Sequence, residues 1–277
     1  MPKKIVTHGG EAHLDDLMSV SLVLALDENV KMIERRNPTE EDLNSKEVWV
    51  LDEGGRIEPE FFNYDHHQLE NGIQECTLSL IAEHFKIKEY LSSIPWYRTV
   101  VLIDSLGPDK AAEVLQCRAD VVKAVYTPSD EFFLIQFKAL EKLEEGELLF
   151  EQLKKIGKNV TDYYYKTQER LELLRESCEL KYLDDIPVIY FLKRVDSPMM
   201  AVYKYAIELG IRGGICVCVD ERGDGWCIRR LFEDENIDLY RLEGEMDVRF
   251  THPAGFISKV EKVSMERVNE LIILSKV

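Results

Sequence analysis

The sequence predicts an α/β protein: an N-terminal Rossmann-like parallel sheet, a helical connector, and a smaller C-terminal α/β domain. Three observations predict it. Over the first ~110 residues short β-like runs alternate with stretches of helical apolar spacing, as in strands joined by crossover helices. Residues 131–182 are dense in Leu, Glu, Lys and Gln and poor in strand formers. Strand-like runs then return and close on a helical segment. A chain of 277 residues is near the useful limit of one core. The expected division is therefore 1–125, 126–186 for the connector, and 187–277.

The elements follow in order. Lys4–Thr7 is a short apolar strand ending in His8-Gly9-Gly10. Apolar residues at 14, 17, 18, 22, 25 and 26 predict a helix over Leu14–Leu26. Residues 30–33 and 47–51 read as strands, the second closed by Asp52-Glu53-Gly54-Gly55. Tyr64-Asp65-His66-His67 reads as another strand end or loop. Residues 76–85 and Pro95–Leu106 read as helices. In the connector, Gly146 and Gly157 interrupt the helical run, giving two or three helices. The apolar spacing there is too uneven for a coiled coil. Asp184-Asp185-Ile186-Pro187 ends it. Residues 188–192 read as a strand, and Ser197 as the cap of a helix with Pro198 at its first position. Residues 213–219 and 226–232 read as a strand pair joined through Arg222-Gly223-Asp224-Gly225. Residues 265–275 form the closing helix.

Composition narrows the function. The 45% hydrophobic content excludes a disordered chain. There are 52 acidic against 35 basic side chains, a formal charge of −17. That balance argues against coating long nucleic acid or an anionic membrane by bulk charge. The Met-Pro-Lys-Lys start is followed by too few apolar residues for a signal peptide, and no run approaches the ~18 residues of a membrane span. The expectation is a soluble, cytoplasmic protein. The six cysteines form no CxxC pair and read as reduced thiols. Cys216 and Cys218, two apart in an apolar run, share one strand face and read as buried small hydrophobes.

Four of the six histidines fall within the first 67 residues, each beside carboxylates. His8, His13 and Asp15 follow the first strand. Asp52 ends another, Asp65, His66 and His67 form a third group, and Asp104 interrupts the apolar stretch 99–106. Singly, Asp52 reads equally well as a turn aspartate, His8 as a helix cap, and Asp104 as a residue satisfied by a neighbour. Together they point elsewhere. Ligands of open parallel sheets bind outside the carboxyl ends of the strands, where distant segments converge. Mixed imidazole and carboxylate donors suit Mn, Fe, Co or Zn. Six or seven such groups exceed what one tetrahedral ion needs, which points to two ions.

The pattern His8-Gly-Gly-Glu-Ala-His13-Leu-Asp15, Asp52, Asp65-His66-His67 and Asp104 resembles the four motifs of the DHH phosphoesterase superfamily. The stretches around His8 to Asp16, Val50 to Gly55 and Tyr64 to Gln68 look most like its melanocyte-proliferating-gene branch of exonuclease-like proteins. His252-Pro-Ala-Gly255-Phe-Ile is similar to that branch's C-terminal His-x-x-Gly-Phe-Ile element. The resemblance implies a DHH-type fold with a dinuclear, usually Mn-dependent, hydrolytic site; Zn, Co, Fe or Mg are alternatives. It implies His8, His13 and Asp52 for one ion, and Asp15, Asp52, His66 and Asp104 for the other, with Asp52 bridging. His67 would contact the phosphate and Asp65 would orient its neighbours. The superfamily more commonly has aspartate where this chain has His13. The glycine-rich continuation after the C-terminal element is absent, since Ser258-Lys259-Val260 follows.

Arg229, Arg230, Arg241, Arg249, His252 and Lys259 form a cationic concentration in the second half. Arg229, Arg230, His252 and Gly255 are the expected substrate-binding residues, set against the alternative of arginines paired on strand faces with Glu233, Asp234, Glu235 and Glu245. The expected function is 3′-5′ exonuclease-like hydrolysis of short oligonucleotides. The alternatives are a small-molecule phosphohydrolase acting on pyrophosphate, polyphosphate or a nucleotide, and a non-catalytic metal- or nucleotide-sensing module. A homodimer is compatible with the sequence.

Overall fold

The computed structural model describes residues 2–70, 72–123 and 127–277. It divides into two compact units, Met1–Tyr164 and Tyr165–Val277.

The first unit is built in chain order from β1 (Lys4–Thr7), α1 (Leu14–Leu26), β2 (Met32–Arg35), α2 (Glu40–Leu43), β3 (Val48–Leu51), β4 (Ile57–Glu58) and β5 (Asn63–Tyr64). There follow α3 (Thr77–His84), α4 (Lys88–Ser92), α5 (Pro95–Leu106), α6 (Pro108–Val114), α7 (Ala119–Lys123), α8 (Pro128–Lys138), β6 (Lys142–Glu144) and the start of α9 (Leu148–Ser177). The sheet runs β4-β5-β3-β1-β2-β6. β2, β1, β3 and β5 are parallel neighbours, and β4 and β6 are antiparallel edges. This is the parallel α/β sheet the alternation predicts. Strands β1 and β3 are buried along almost their whole length, as expected for a sheet covered on both faces. The core gathers Ile5, Leu22, Trp49, Leu51 and Ile81. His84 is an ordinary helix residue: it packs edge-on to Trp49 and hydrogen-bonds the Tyr64 hydroxyl.

The second unit takes the end of α9, then β7 (Glu179–Leu183), β8 (Ile186–Phe191), α10 (Met199–Glu208), β9 (Ile215–Val219), β10 (Trp226–Arg230), β11 (Val248–Thr251), β12 (Ile257–Val260) and α11 (Met265–Leu274). Its sheet runs β11-β12-β10-β9-β8-β7. Only β8 and β9 are parallel, joined through α10. One face packs on α10 and the last turns of α9, with Cys216 and Cys218 buried among Phe191, Val202 and Leu174. The other face packs on α11 through Val188, Val217, Ile228 and Leu271.

The structure departs from the sequence reading in four places. The 125/126 boundary lies outside the described residues. The division between units falls inside α9, because β6 pairs with β2 and Phe137, Phe150 and Leu153 join the first core. Both β6 and β7 lie in the stretch read as helical; β6 has a single buried side chain, too few to show a period. Gly157 does not break α9. A Cβ there would sit 1.8 Å from the Ser21 backbone oxygen, so glycine lets α9 lie against α1. Ser197 does not cap α10: it has a φ of 44°, and Pro198 precedes the helix without a capping side chain.

Candidate metal centre

Strand register sets the site. Thr7 lies opposite Leu51, and Leu51 opposite Tyr64. His8, Asp52 and Asp65 therefore leave the sheet side by side at its carboxyl edge. Asp52 turns the chain with a left-handed φ of 58°, a conformation aspartate tolerates better than most residues. Its N–H donates to the Tyr64 carbonyl at 2.9 Å, and the Thr77 hydroxyl donates to its Oδ1 at 2.9 Å. The first turn of α1 supplies Asp15 and Asp16, where a helix N-terminus favours negative charge. Asp104 sits in the last turn of α5, where the helix dipole opposes it.

Asp52 divides its two oxygens between two histidines. Oδ2 is 3.4 Å from His8 Nε2, and Oδ1 is 3.3 Å from His66 Nε2. His66 Nε2 is also 2.9 Å from Asp104 Oδ2. Residue triples whose donor atoms all lie within 4.8 Å of one another are His8/His13/Asp52, Asp52/His66/His67 and His13/Asp15/Asp104. Every residue the sequence places at the metal site is thus in one constellation. Asp15 is 0% exposed, and no donor reaches either of its carboxylate oxygens; its near polar neighbour is the Asp104 carboxylate. Burial, then repulsion from Asp52 and Asp104, raises its pKa well above the ordinary range. A carboxylate buried unpaired among carboxylates is costly. Divalent cations, hard enough for oxygen and tolerant of imidazole, fit this donor set.

The electrostatics of the metal-free cluster follow. Hydrogen bonds to Asp16 and Asp52 raise His8 to about 10. For His66, burial is opposed and outweighed by Asp104 and Asp52, raising it to about 10. Asp52, although buried, is held well below the carboxylate range by His66 and His8. Asp65 is buried and satisfied: its Oδ2 accepts from Gly55 N at 2.6 Å and its Oδ1 from His67 N and Nδ1 at 2.9 and 2.7 Å. It ties the Asp52–Gly55 turn to His67, whose ring stays 64% exposed.

Three further residues support the centre. Asp16 is fully buried, accepts from His13 N at 2.9 Å and reaches His8 Nε2 at 3.1 Å. Its position three residues after the helix-start residue His13 is the signal that marks it. Arg35 is buried at the carboxyl end of β2. It donates to the Glu11 and Phe137 carbonyls at 2.9 and 3.0 Å and lies 3.6 Å from Asp16, so it fixes the loop carrying His8 and His13. Thr77 is the third, through Asp52.

In the second unit, neighbouring strand residues diverge. Arg229 lines a pocket of ≈ 240 Å³ with Lys259, Phe250, Met199 and Cys227, and its Nε has no partner. Arg230, on the opposite face, donates to the Ile237 carbonyl at 3.0 Å and pairs with Glu233 at 3.3 Å. His252 Nδ1 accepts from Ala254 N at 3.0 Å, which leaves its Nε2–H as a donor. Gly255 has a φ of 66°, and a Cβ there would sit 2.0 Å from Asp238 Oδ1, so its position demands glycine.

The first unit is therefore an α/β sheet carrying a histidine–carboxylate centre at the carboxyl edge of its parallel strands, the arrangement its DHH-like motifs imply. Residues 4–88 match the model of the MYG1_exonuc family, described as an uncharacterised protein family (UPF0160). The resemblance to the melanocyte-proliferating-gene branch is borne out over that stretch. The chain is 38% identical over 69 residues to the MYG1 exonuclease of Mus musculus, a match spanning 24% of this chain and 17% of the mouse protein. Among solved structures it is similar to the pGpG-specific phosphodiesterase PggH of Vibrio cholerae, with 10% identity, 98% of this chain and 97% of that chain covered, and a TM-score of 0.31. It is also similar to RecJ of Thermus thermophilus in complex with Mn2+, with 13% identity, 98% and 51% coverage, and a TM-score of 0.32.

Proposed function

We propose that this chain is a metal-dependent phosphoesterase that hydrolyses phosphodiester bonds of short oligonucleotides from the 3′ end. The observation carrying the reading is Asp52 shared between His8 and His66 beside the buried Asp15, which no donor reaches. The family match over residues 4–88 and the name of the mouse relative support it.

His8, His13 and Asp52 would hold one divalent ion, and Asp15, Asp52, His66 and Asp104 a second, Mn2+ being the first choice. Such a pair supplies an activated water and neutralises phosphate oxygens. The chain's own residues do the rest. Asp65 accepts from His67 Nδ1–H and so fixes the ring, and the imidazolium form would donate Nε2–H to a phosphate oxygen. Arg35 and Asp16 hold the His8 and His13 side of the centre rigid. In the second unit, His252 Nε2–H and the Arg229 guanidinium, which also reaches Cys227, would be that unit's own donors for a phosphate group. Arg230, already bound to Ile237 and Glu233, braces that unit instead.

The test is a Mn-loaded panel of a 5′-labelled dinucleotide, longer RNA and DNA strands, pyrophosphate and bis-p-nitrophenyl phosphate. Turnover of the dinucleotide, with Asp52→Ala losing activity and bound metal together, is the expected result. Turnover of pyrophosphate alone would replace it with a small-molecule phosphohydrolase, a reading the −17 charge fits equally well. Bound metal with no turnover would leave a sensing module.

A further inference from the structure

A second pocket of the first unit, ≈ 370 Å³, lies against α3 and α5 and is lined by Gln74, Ser79, Lys88, Tyr97 and Arg98 among others. Its size falls within the range of small-ligand sites. It is distinct from the pocket at the metal centre, which Val100, Ile103 and Asp104 line from another face of the same helix. On α5, Tyr97 and Val101 are four residues apart and share the first face; Val100 and Asp104 share the second.

Three observations describe what this pocket would take. No carboxylate is among its lining residues, although the Glu75 carboxylate stands beside it, engaged by the lining residues Lys88 and Ser79. Arg98 has no ion pair among the described residues, whereas Lys88 is held by Glu75 at 2.7 Å and Glu75 is engaged by the Ser79 hydroxyl as well. Tyr97 is 3% exposed, and its hydroxyl has no hydrogen-bond partner. A buried phenol without a partner is a donor waiting for an acceptor. In addition, Tyr97 and Arg98 belong to the first turn of α5, a twelve-residue helix whose N-cap, Ile94, offers no side-chain acceptor. Its orphan N–H groups add positive potential at the same place.

We propose that this pocket is a second ligand site, taking a phosphate-bearing small molecule between Arg98 and the Tyr97 hydroxyl, with Lys88 at its edge shared with Glu75. It requires neither the metal ions nor phosphoester hydrolysis. Its helices also carry Thr77 and Asp104, so an occupant would rest on the elements that hold Asp52 and complete the metal centre.

The test is isothermal titration of the chelator-treated full chain with inorganic phosphate and with AMP. The expected result is binding of at least one probe by the metal-free wild type. Arg98→Glu, at an exposed position, should weaken it by about tenfold or more, the loss of one charge-assisted hydrogen bond. Tyr97→Phe should weaken it several-fold while keeping the ring packed. Asp52→Asn and Arg229→Ala should bind as the wild type does, which separates this pocket from the metal centre and from the Arg229 pocket. Failure of both probes to bind overturns the proposal. So does binding unchanged in Arg98→Glu, or binding lost in Asp52→Asn or Arg229→Ala. None of these results depends on turnover, so a failed hydrolysis assay leaves the test intact.

Discussion

His8 and His66 both carry protons at neutral pH in the metal-free centre, since their carboxylate partners raise each to about 10. The unfolded value of histidine is about 6.5. The stabilisation is therefore fully present below about pH 6.5 and is lost as pH rises through about 10. Thermal melts of chelated protein should show Tm falling between pH 7 and 10, with a flatter slope in Asp52→Asn. A Tm independent of pH over that window would contradict the assignment. Metal must displace the same protons, so Mn2+ affinity should rise over that window, with proton release visible in buffers of different ionisation heat. At this scale the histidines, Asp15, Asp52 and Asp104 were legible because each sits where a strand or helix ends or interrupts an apolar run. Asp16 and Arg35 were not. Asp16 carries only the capping signal of its place three residues after His13, which says nothing of its reach to His8, and Arg35 is indistinguishable in sequence from a surface arginine. Only packing reveals that Arg35 is buried against Phe137, with its guanidinium 4.6 Å from the ring centroid.

Between residue and fold lie the elements, and two predictions belong here. Arg35 closes β2 and holds the His8–His13 loop by backbone carbonyls. Arg35→Lys keeps the charge but loses the planar fork. It should weaken Mn2+ binding by about 10–100-fold, the usual cost of removing support behind a ligand, while circular dichroism stays unchanged. Equal Mn2+ affinity would make Arg35 a purely structural residue. On α9, replacing a helix-interior glycine by alanine ordinarily stabilises by about 1 kcal/mol. At Gly157 the clash with the Ser21 carbonyl reverses the sign. Gly157→Ala should destabilise by about 1–3 kcal/mol in urea titration. The parallel strands and the helices α1, α3, α5 and α11 could be read from periodicity. The edge strands β6 and β7 could not, since their pairing with β2 and β8 is decided by tertiary contact rather than by pattern. The same limit applied to Arg229 and Arg230: a strand places neighbours on opposite faces, and sequence does not say which face holds the pocket.

For the molecule as a whole, the charge of −17 decides which polymers reach the site. Among the described residues no helix is long and apolar enough to cross a membrane. A phosphate chain longer than the site itself meets the net negative charge of the chain. Screening lengths fall from about 30 Å at 0.01 M salt to about 10 Å at 0.1 M. Repulsion of a long strand should therefore weaken steeply over that range, while a dinucleotide, confined to the metal centre, gains little. Proteins that grip nucleic acid through basic surfaces show the reverse, losing affinity as salt rises. The expected outcome is that kcat/KM for a strand of about 20 nucleotides, divided by kcat/KM for the dinucleotide, increases with salt. Taking the ratio cancels any effect of salt on metal loading, which both substrates share. A ratio that falls with salt would mean that a basic track guides long strands despite the net charge, and would move the proposed substrate from short oligonucleotides to polymers.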